Sequence, residues 1–409
     1  MTRAHLDSPL SITSQFSHCS LPLRLDAYRG CSFACSYCFA RARGGNSPPQ
    51  RIVTANPTYL TNIFSQIDRG HAEGTVRQFL VRGVPIHFGG MSDPFQPRER
   101  REGISLSFIR ELQRRNYPTV ISTKSAIVAE TPYRELLASG WHVVVQFSLT
   151  STEDSRAIQL EPYATQPSAI LKSMERLAKI GVHVSARWQP YIETLAEAPD
   201  VYVGRVADAG AFHLSLEHLK VPLEERGWAS KRAGISMSVL KSQYQERGAL
   251  RDGREYILPS DQKYTTILKV RALAHRHRMT FGAADNDFQF LSDGEACCSG
   301  VDQFAGFERI FKHQIALAAK RGARKGIIKL EDIEKEWCPE TSIDRYLNSR
   351  SRIGSRGAIE GTIRNHVTAR WENTSSPGNP TRYFGVTDSG RRDRGENRIF
   401  KMNSVHAQL

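Results

Sequence analysis

The sequence predicts an α/β protein built as a partial (β/α)6 TIM-type barrel with an α-rich C-terminal extension, and three observations carry that prediction. Short apolar, β-branched runs alternate with amphipathic helical stretches across residues 23–216, the pattern of parallel strands joined by crossover helices. Polar and glycine-bearing residues gather just past the ends of those runs, where such folds place their chemistry. The composition, 40% hydrophobic and 24% charged over 409 residues, is that of a globular chain long enough for a sizeable core.

Taken in order, residues 1–22 read as a polar, irregular extension. LRLDAYRG, from Leu23, is a short strand running into a cysteine-bearing loop that continues through Gly44, Gly45, Pro48 and Pro49. Leu60, Ile63, Phe64 and Ile67 recur at helical spacing in a helix over 57–68. The run VPIHFGG ends at Gly89 and Gly90, and a long amphipathic helix follows over 98–115. Strands are expected at 119–123, 141–149, 182–188 and 211–216, with helices at 132–138 and 166–180 between them. Residues 217–340 form an extension that completes the barrel and the substrate site. Within it lie a charged, helical or insertion-like stretch to residue 260, a helix over 261–278, a strand-like MTFGAAD and a helix over 305–323. Residues 341–409 are a basic, Arg-rich tail.

Charge and cysteine usage narrow the class. A net charge of +14 and a pI near 9.6 favour polyanionic partners such as nucleic acid. Seven cysteines in a chain of this size are not a disulfide scaffold, and their clustering suits metal binding in a reducing compartment. The first residues hold no apolar h-region, and no run of about eighteen apolar residues occurs, so a cytoplasmic, non-membrane protein is expected.

The stretch that carries chemistry is LDAYRGCSFACSYCFARAR, centred on Cys31-x3-Cys35-x2-Cys38. A structural zinc site closes itself with four Cys or His ligands, and a cuboidal iron-sulfur cluster takes one thiolate on each of four irons. Here the local count stops at three. One coordination position is left for something other than protein, and an open position is where a metal centre reacts. A zinc knuckle and unrelated core thiols are the alternatives at this point.

The spacing, with Tyr37 just before the last cysteine, resembles the cluster loop of the radical S-adenosylmethionine (radical SAM) superfamily. Further segments follow in order: GGMSDPFQP from Gly89, ISTKSA from Ile121, FSLTSTED from Phe147 with Leu160-Glu161-Pro162 downstream, and VHVSARWQP from Val182. Together they resemble the spore-photoproduct-lyase-like branch of that superfamily over residues 23–190.

The resemblance implies that Cys31, Cys35 and Cys38 hold a 4Fe-4S cluster whose fourth iron chelates S-adenosyl-L-methionine. Reductive cleavage of the sulfonium would give a 5′-deoxyadenosyl radical that takes hydrogen from a substrate. By the same resemblance Gly89 and Gly90 present backbone to the methionyl amino group, and the acid that usually follows the glycines is displaced to Asp93. Lys124 and Arg187 are the cations available to the SAM carboxylate, Ser148 and Thr150 reach its ribose or carboxylate, and Tyr37 flanks the adenine. Glu161 reads equally as one of these implied contacts or, instead, as a helix N-cap or salt-bridge partner. An electron donor such as flavodoxin or ferredoxin is implied. Basic charge and kinship to a thymine-dimer repair enzyme point to a nucleobase in DNA or RNA, for repair or modification. A peptide or small metabolite is the alternative target, and a non-catalytic metal-bearing nucleic-acid-binding protein is the alternative from another class.

Two regions lie outside the resemblance. For Cys297 and Cys298 three readings stand side by side: a thiol that gives hydrogen to a substrate radical, part of a second metal centre with Cys338 and Cys19, or ordinary buried thiols. Past Ser349, ten arginines from Arg350 to Arg398 are set among few apolar residues. With Trp371, Tyr383 and Phe384 available for base stacking, this stretch reads as a nucleic-acid-contacting arm or as a mobile tail.

Overall fold

Alternation of apolar and polar side chains builds one central sheet, because successive residues of a strand face opposite sides. The structure, a computed structural model, describes residues 6, 8–42, 52–223, 236–296, 298–348 and 361–403. The sheet has eight strands lying side by side in chain order: β1 (Leu10–Ile12), β2 (Leu23–Leu25), β3 (Ile86–Phe88), β4 (Thr119–Thr123), β5 (Val143–Ser148), β6 (His183–Tyr191), β7 (Ala211–His218) and β8 (Thr280–Ala283). β1 pairs antiparallel with β2, and every later neighbour is parallel. Helices Ile104–Arg114, Pro167–Ala178, Pro199–Asp208 and Ser260–Arg276 lie on crossovers between the parallel strands.

The two faces of the sheet differ. Leu23, Leu25, Phe88, Ile121, Val145, Phe147, Ala186, Trp188, Leu214, Leu216 and Phe281 belong to one large buried cluster shared with the helices. The alternate residues are polar. Ser122, Gln146, Ser185, His213 and Thr280 fall in one register row, and Ser148, Arg187, Ser215 and Gly282 in the next. Towards the strand N-termini, Val120 and Val144 of this face pack with Cys19, Leu21, Val301 and Phe307 in a smaller cluster.

Several elements differ from expectation for physical reasons. The strand-like MTFGAAD is β8, as expected, and it joins the sheet as a parallel neighbour of β7 beyond the six strands of the expected barrel. Residues 10–12, expected to be irregular, form an edge strand too short to show periodicity. The helix expected over 98–115 is split at Gly103, whose φ of +62° ends Glu99–Glu102 before Ile104–Arg114 begins. Only Ile315–Ala323 of the stretch 305–323 is helical; Gly306, at φ +86°, lies against the His142 ring. Residues 236–260 form a helix, Met237–Glu246, and a small hairpin.

The C-terminal stretch is the largest correction. A helix, Ile363–Glu372, and the strands Val386–Arg392 and Arg398–Met402 fold onto the rest of the chain. Trp371 and Tyr383 are buried in the main cluster, not held out for bases. Phe384 is half-buried against Tyr264 and Phe288. Arg370 is buried too, donating to Ser17 Oγ and, at 3.3 Å, to Ser14 O. The stretch looks like a tail because its apolar residues are sparse, yet Ile363, Val367, Trp371, Tyr383, Val386, Phe400 and Met402 are all buried. Arg350, Arg352 and Arg356 lie outside the described residues. Among the described residues no helix is long and apolar enough to cross a membrane.

Candidate active site

The cysteine loop leaves β2 at its C-terminal end and is fixed before the first thiol. Asp26 accepts from the backbone N–H of Met91 at 2.7 Å and of Ser92 at 3.1 Å, tying the end of β2 to the end of β3. Ser92 Oγ donates to Tyr28 O at 2.6 Å. Buried Gln96 then clamps the loop from both sides: its Nε2 donates to Gly30 O at 3.1 Å and its Oε1 accepts from Ser32 N at 3.0 Å. Ala34 holds a left-handed φ of +52°, a costly conformation for a residue with a Cβ. Cys38 N donates to Cys35 O at 3.2 Å, and Ser36 N donates to Leu160 O at 2.9 Å.

The three thiols feel one another's charge. Burial first, then Asp93, pushes Cys31 up to about 12, with Cys38 adding to the rise. Burial also raises Cys35, Glu161, Cys38 and Cys31 raise it further, and Lys124 opposes them. Thiolates are therefore disfavoured here unless a cationic centre joins them.

Beside the loop sits a buried polar group whose members are too far apart in the chain for any motif to reveal it. Lys124 Nζ, just past β4, donates to Glu161 Oε1 at 2.8 Å and to Ser148 O at 3.1 Å, and stands 5.6 Å from the centre of the Tyr37 ring. The Tyr37 hydroxyl donates to the same Glu161 oxygen. Glu161 is thus a salt-bridge partner. Tyr37 and Lys124 are both committed to it.

The two glycines and Asp93 stand at the ends of β3 and β4. Gly89 has φ +97°, and a Cβ there would come within 2.5 Å of Ser122 O and 2.9 Å of Pro94 Cδ. A Cβ on Gly90 would meet the Arg24 stem at 3.2 Å. Asp93 accepts from Phe95 N at 2.8 Å, Thr123 Oγ1 at 2.8 Å and Lys124 N at 2.6 Å, so its carboxylate links the two strand ends. Burial raises it to about 6 against those bonds. Arg187 donates to Gln189 Oε1, while its Nε is buried without a partner among the described residues, as is Thr150 Oγ1. Ser148 stands opposite Arg187 in the register.

The second cysteine group is divided. Cys297 lies outside the described residues. The Cys298 carbonyl accepts from Gln146 Nε2 at 2.6 Å on the polar face of the sheet. Cys19, raised by burial, feels Arg24 and then Cys298, and Arg24 donates to its sulfur at 3.2 Å. Cys338 is instead buried in the main cluster, where after burial its strongest influence is Arg364. Cys19 and Cys298 are neighbours, and Cys338 is surrounded by other groups.

The residues present fit a cuboidal cluster with a small polar ligand beside it. Three thiols share one loop, Gly89 lets the end of β3 pass close against Ser122 O and Pro94 beside it, and two buried polar atoms face no partner among the described residues. Among those residues no three His, Cys, Asp or Glu side chains converge on one point as a mononuclear site needs. A cubane does not need it, since each thiolate binds its own iron.

Fold and site together define an α/β protein whose three-cysteine loop stands at the C-terminal ends of parallel strands. No family model matches the chain. An uncharacterised protein of Mycobacterium tuberculosis is 26% identical over 238 residues, 56% of this chain and 68% of that protein, and an uncharacterised Mycobacterium bovis protein matches equally. Among solved structures, spore photoproduct lyase complexed with dinucleoside spore photoproduct is similar with a TM-score of 0.47 and 15% identity, over 69% of this chain and 80% of that one. A radical SAM methyltransferase from Sphaerobacter thermophilus is similar with a TM-score of 0.39 and 16% identity, over 68% and 69%.

Proposed function

We propose that this chain is a radical SAM enzyme whose barrel-like domain spans residues 23–216, with 217–340 completing the substrate site. The observation that carries the reading is the clamped Cys31, Cys35 and Cys38 loop, tied through Asp26 and Ser92 to the end of β3. Those three cysteines would hold a 4Fe-4S cluster. When bound, the cluster and SAM supply a one-electron cleavage to a 5′-deoxyadenosyl radical, with flavodoxin or ferredoxin as electron donor.

The chain's own residues then have distinct tasks. Gly89 and Gly90 bring bare backbone close to the ligand's methionyl end. Arg187, with an unpartnered Nε, is the cation for a carboxylate, because Lys124 is engaged with Glu161. Thr150 Oγ1 and Ser148 are the hydroxyls on hand. The polar face of the sheet, closed at one end by the cluster around Cys19 and Val301, receives the substrate and excludes bulk water from it. Cys298, with Cys297 next to it in the chain, is the hydrogen donor to the substrate radical. The excess of positive charge supports a nucleobase in DNA or RNA as substrate. No disulfide joins any of the six described cysteines, as suits a cytoplasmic setting.

Anaerobic reconstitution tests the reading. Wild type should bind about four irons and four sulfides per chain and form 5′-deoxyadenosine from SAM with a reductant. The triple variant C31A/C35A/C38A should do neither. Iron retained by that variant would reveal a second centre, and a wild-type protein that takes up zinc alone would end the proposal. C298A should keep 5′-deoxyadenosine formation while changing the product; an unchanged product removes Cys298 from the mechanism.

A further inference from the structure

The C-terminal residues form a small antiparallel sheet in the order Ile327–Ile328, Arg398–Met402, Val386–Arg392. Its two faces carry opposite electrostatics. On the inner face Phe400 packs edge-on against Trp371 with ring centres 5.3 Å apart, and the cations are matched by acids. Arg398 pairs with Asp388 at 2.6 Å and lies 3.6 Å from Glu372, and Arg392 lies 3.1 Å from the same glutamate. On the outer face the register sets Lys401 between Ile327 and Thr387, and Ile399 opposite Arg391.

Arg391 and Lys401 are exposed there, and exposed Arg394 extends the row at the turn. None of the three has an acidic partner among the described residues. The turn's Asp393 spends its carboxylate on Gly395 N and on the backbone and side chain of Asn397, and Glu396 is exposed. A fold that neutralises two arginines on one side of a ribbon and leaves three cations bare on the other has separated structural charge from available charge. Residues two apart on a strand are about 6.6 Å apart, so the bare cations form a spaced line along the ribbon.

We propose that this outer face docks the phosphate backbone of a nucleic-acid double helix. A duplex is favoured over a single strand because unpaired bases are held by exposed aromatic rings. Trp371, Tyr383 and Phe400 are in the core, Phe384 is half-buried against Tyr264 and Phe288, and the face itself offers Ile327, Thr387 and Ile399. Cations without base-reading groups position a helix and do not select its sequence. The inference deepens the nucleic-acid part of the reading above and rests on it.

The test uses the full, reconstituted chain and the variant R391Q/R394Q/K401Q, titrated by fluorescence anisotropy with a 20-base-pair DNA duplex and the matching RNA duplex over a salt series. Each phosphate that the protein no longer neutralises lowers the slope of log K against log salt by about 0.9. The triple variant should therefore lose about 2.7 from the slope and at least about tenfold in affinity at low salt with one or both duplexes. The control R69Q/K172Q/R176Q, which removes equal charge from exposed sites elsewhere, should behave as wild type. An unchanged slope in the first variant, an equal fall in the control, or no wild-type binding to either duplex overturns the proposal. So does loss of binding to phosphatidylserine vesicles with duplex binding intact. Formation of 5′-deoxyadenosine should be equal in all three proteins. Its absence from wild type would end the radical SAM reading while leaving the docking result interpretable.

Discussion

Replacing Glu161 with alanine should destabilise the metal-free protein by about 3–5 kcal/mol, the cost of removing one partner from a buried ion pair. The side chains of Glu161 and Lys124 are 4% and 13% exposed, and they meet at 2.8 Å. Without the carboxylate, Lys124 keeps the Ser148 carbonyl at 3.1 Å and the face of Tyr37, and the Tyr37 phenol loses its acceptor. The damage should spread to the cysteine loop, because Ser36 is bonded to Leu160 next door. Urea unfolding at 25 °C measures the loss, and a double-mutant cycle assigns it. K124M alone should cost a similar amount. K124M/E161A, which removes both charges, should cost less than the two single changes summed, for a coupling of at least about 1.5 kcal/mol. Iron retained under chelator challenge should fall in E161A after reconstitution. A loss below about 1 kcal/mol, or single-site costs that add to within about 0.5 kcal/mol, would show that the pair does not hold the loop.

Other perturbations address other parts of the chain. Burial holds Asp26 up to about 6, above the value near 3.9 of an unfolded chain. The native state therefore binds this proton more tightly, and the stability it supplies is full below pH 4 and lost as pH rises through 6. The effect is worth about 3 kcal/mol; the stability of wild type minus that of D26N should fall from pH 4 to pH 7, and a flat or rising difference refutes the shift. G89A should cost at least about 2 kcal/mol more than G70A, since both positions have positive φ but only Gly89 has backbone where a Cβ would go; equal costs in urea unfolding would refute that close approach. W371A should cost about 3–5 kcal/mol by the same measurement, and a loss under 1 kcal/mol would return Trp371 to the surface. S185A/S215A should leave stability unchanged or raise it by about 1 kcal/mol while lowering turnover; a clear destabilisation would make those hydroxyls structural.

The parallel strands were legible because each is a short apolar run ended by a turn, and Thr119–Thr123 falls where its β-branched residues put it. The cysteine loop was legible because metal ligation imposes spacing that no packing requirement mimics. Its supports were not. Asp26, Gln96 and Glu161 act across 64 to 124 residues of sequence, through bonds to Met91, Gly30, Ser32 and Tyr37. Nothing local distinguishes a clamp such as Gln96 from a surface glutamine. The C-terminal stretch misled for the opposite reason. Its many arginines outweighed the spacing of Ile363, Val367 and Trp371, which are all buried on one helix face.

The polar face of the sheet links these pieces. Parallel strands covered on both sides are ordinarily apolar on both, and a row of valines in place of Ser122, Gln146, Ser185 and His213 would cost nothing in desolvation. Instead Ser185 Oγ, Ser215 Oγ, His213 Nε2 and His87 Nδ1 are buried without partners among the described residues. Each such group costs about 1–3 kcal/mol, an expense that packing alone does not explain. Burial lowers His213 to about 4, which leaves it neutral near pH 7, so this face offers hydrogen bonds more than charge. Lys124 reaches the Ser148 carbonyl at one row and the Cys298 carbonyl meets Gln146 at the row below. A ligand with several polar groups, held between the cysteine loop and the Cys298 segment, would satisfy atoms that the protein leaves bare, and that is the physical reason to place the substrate there.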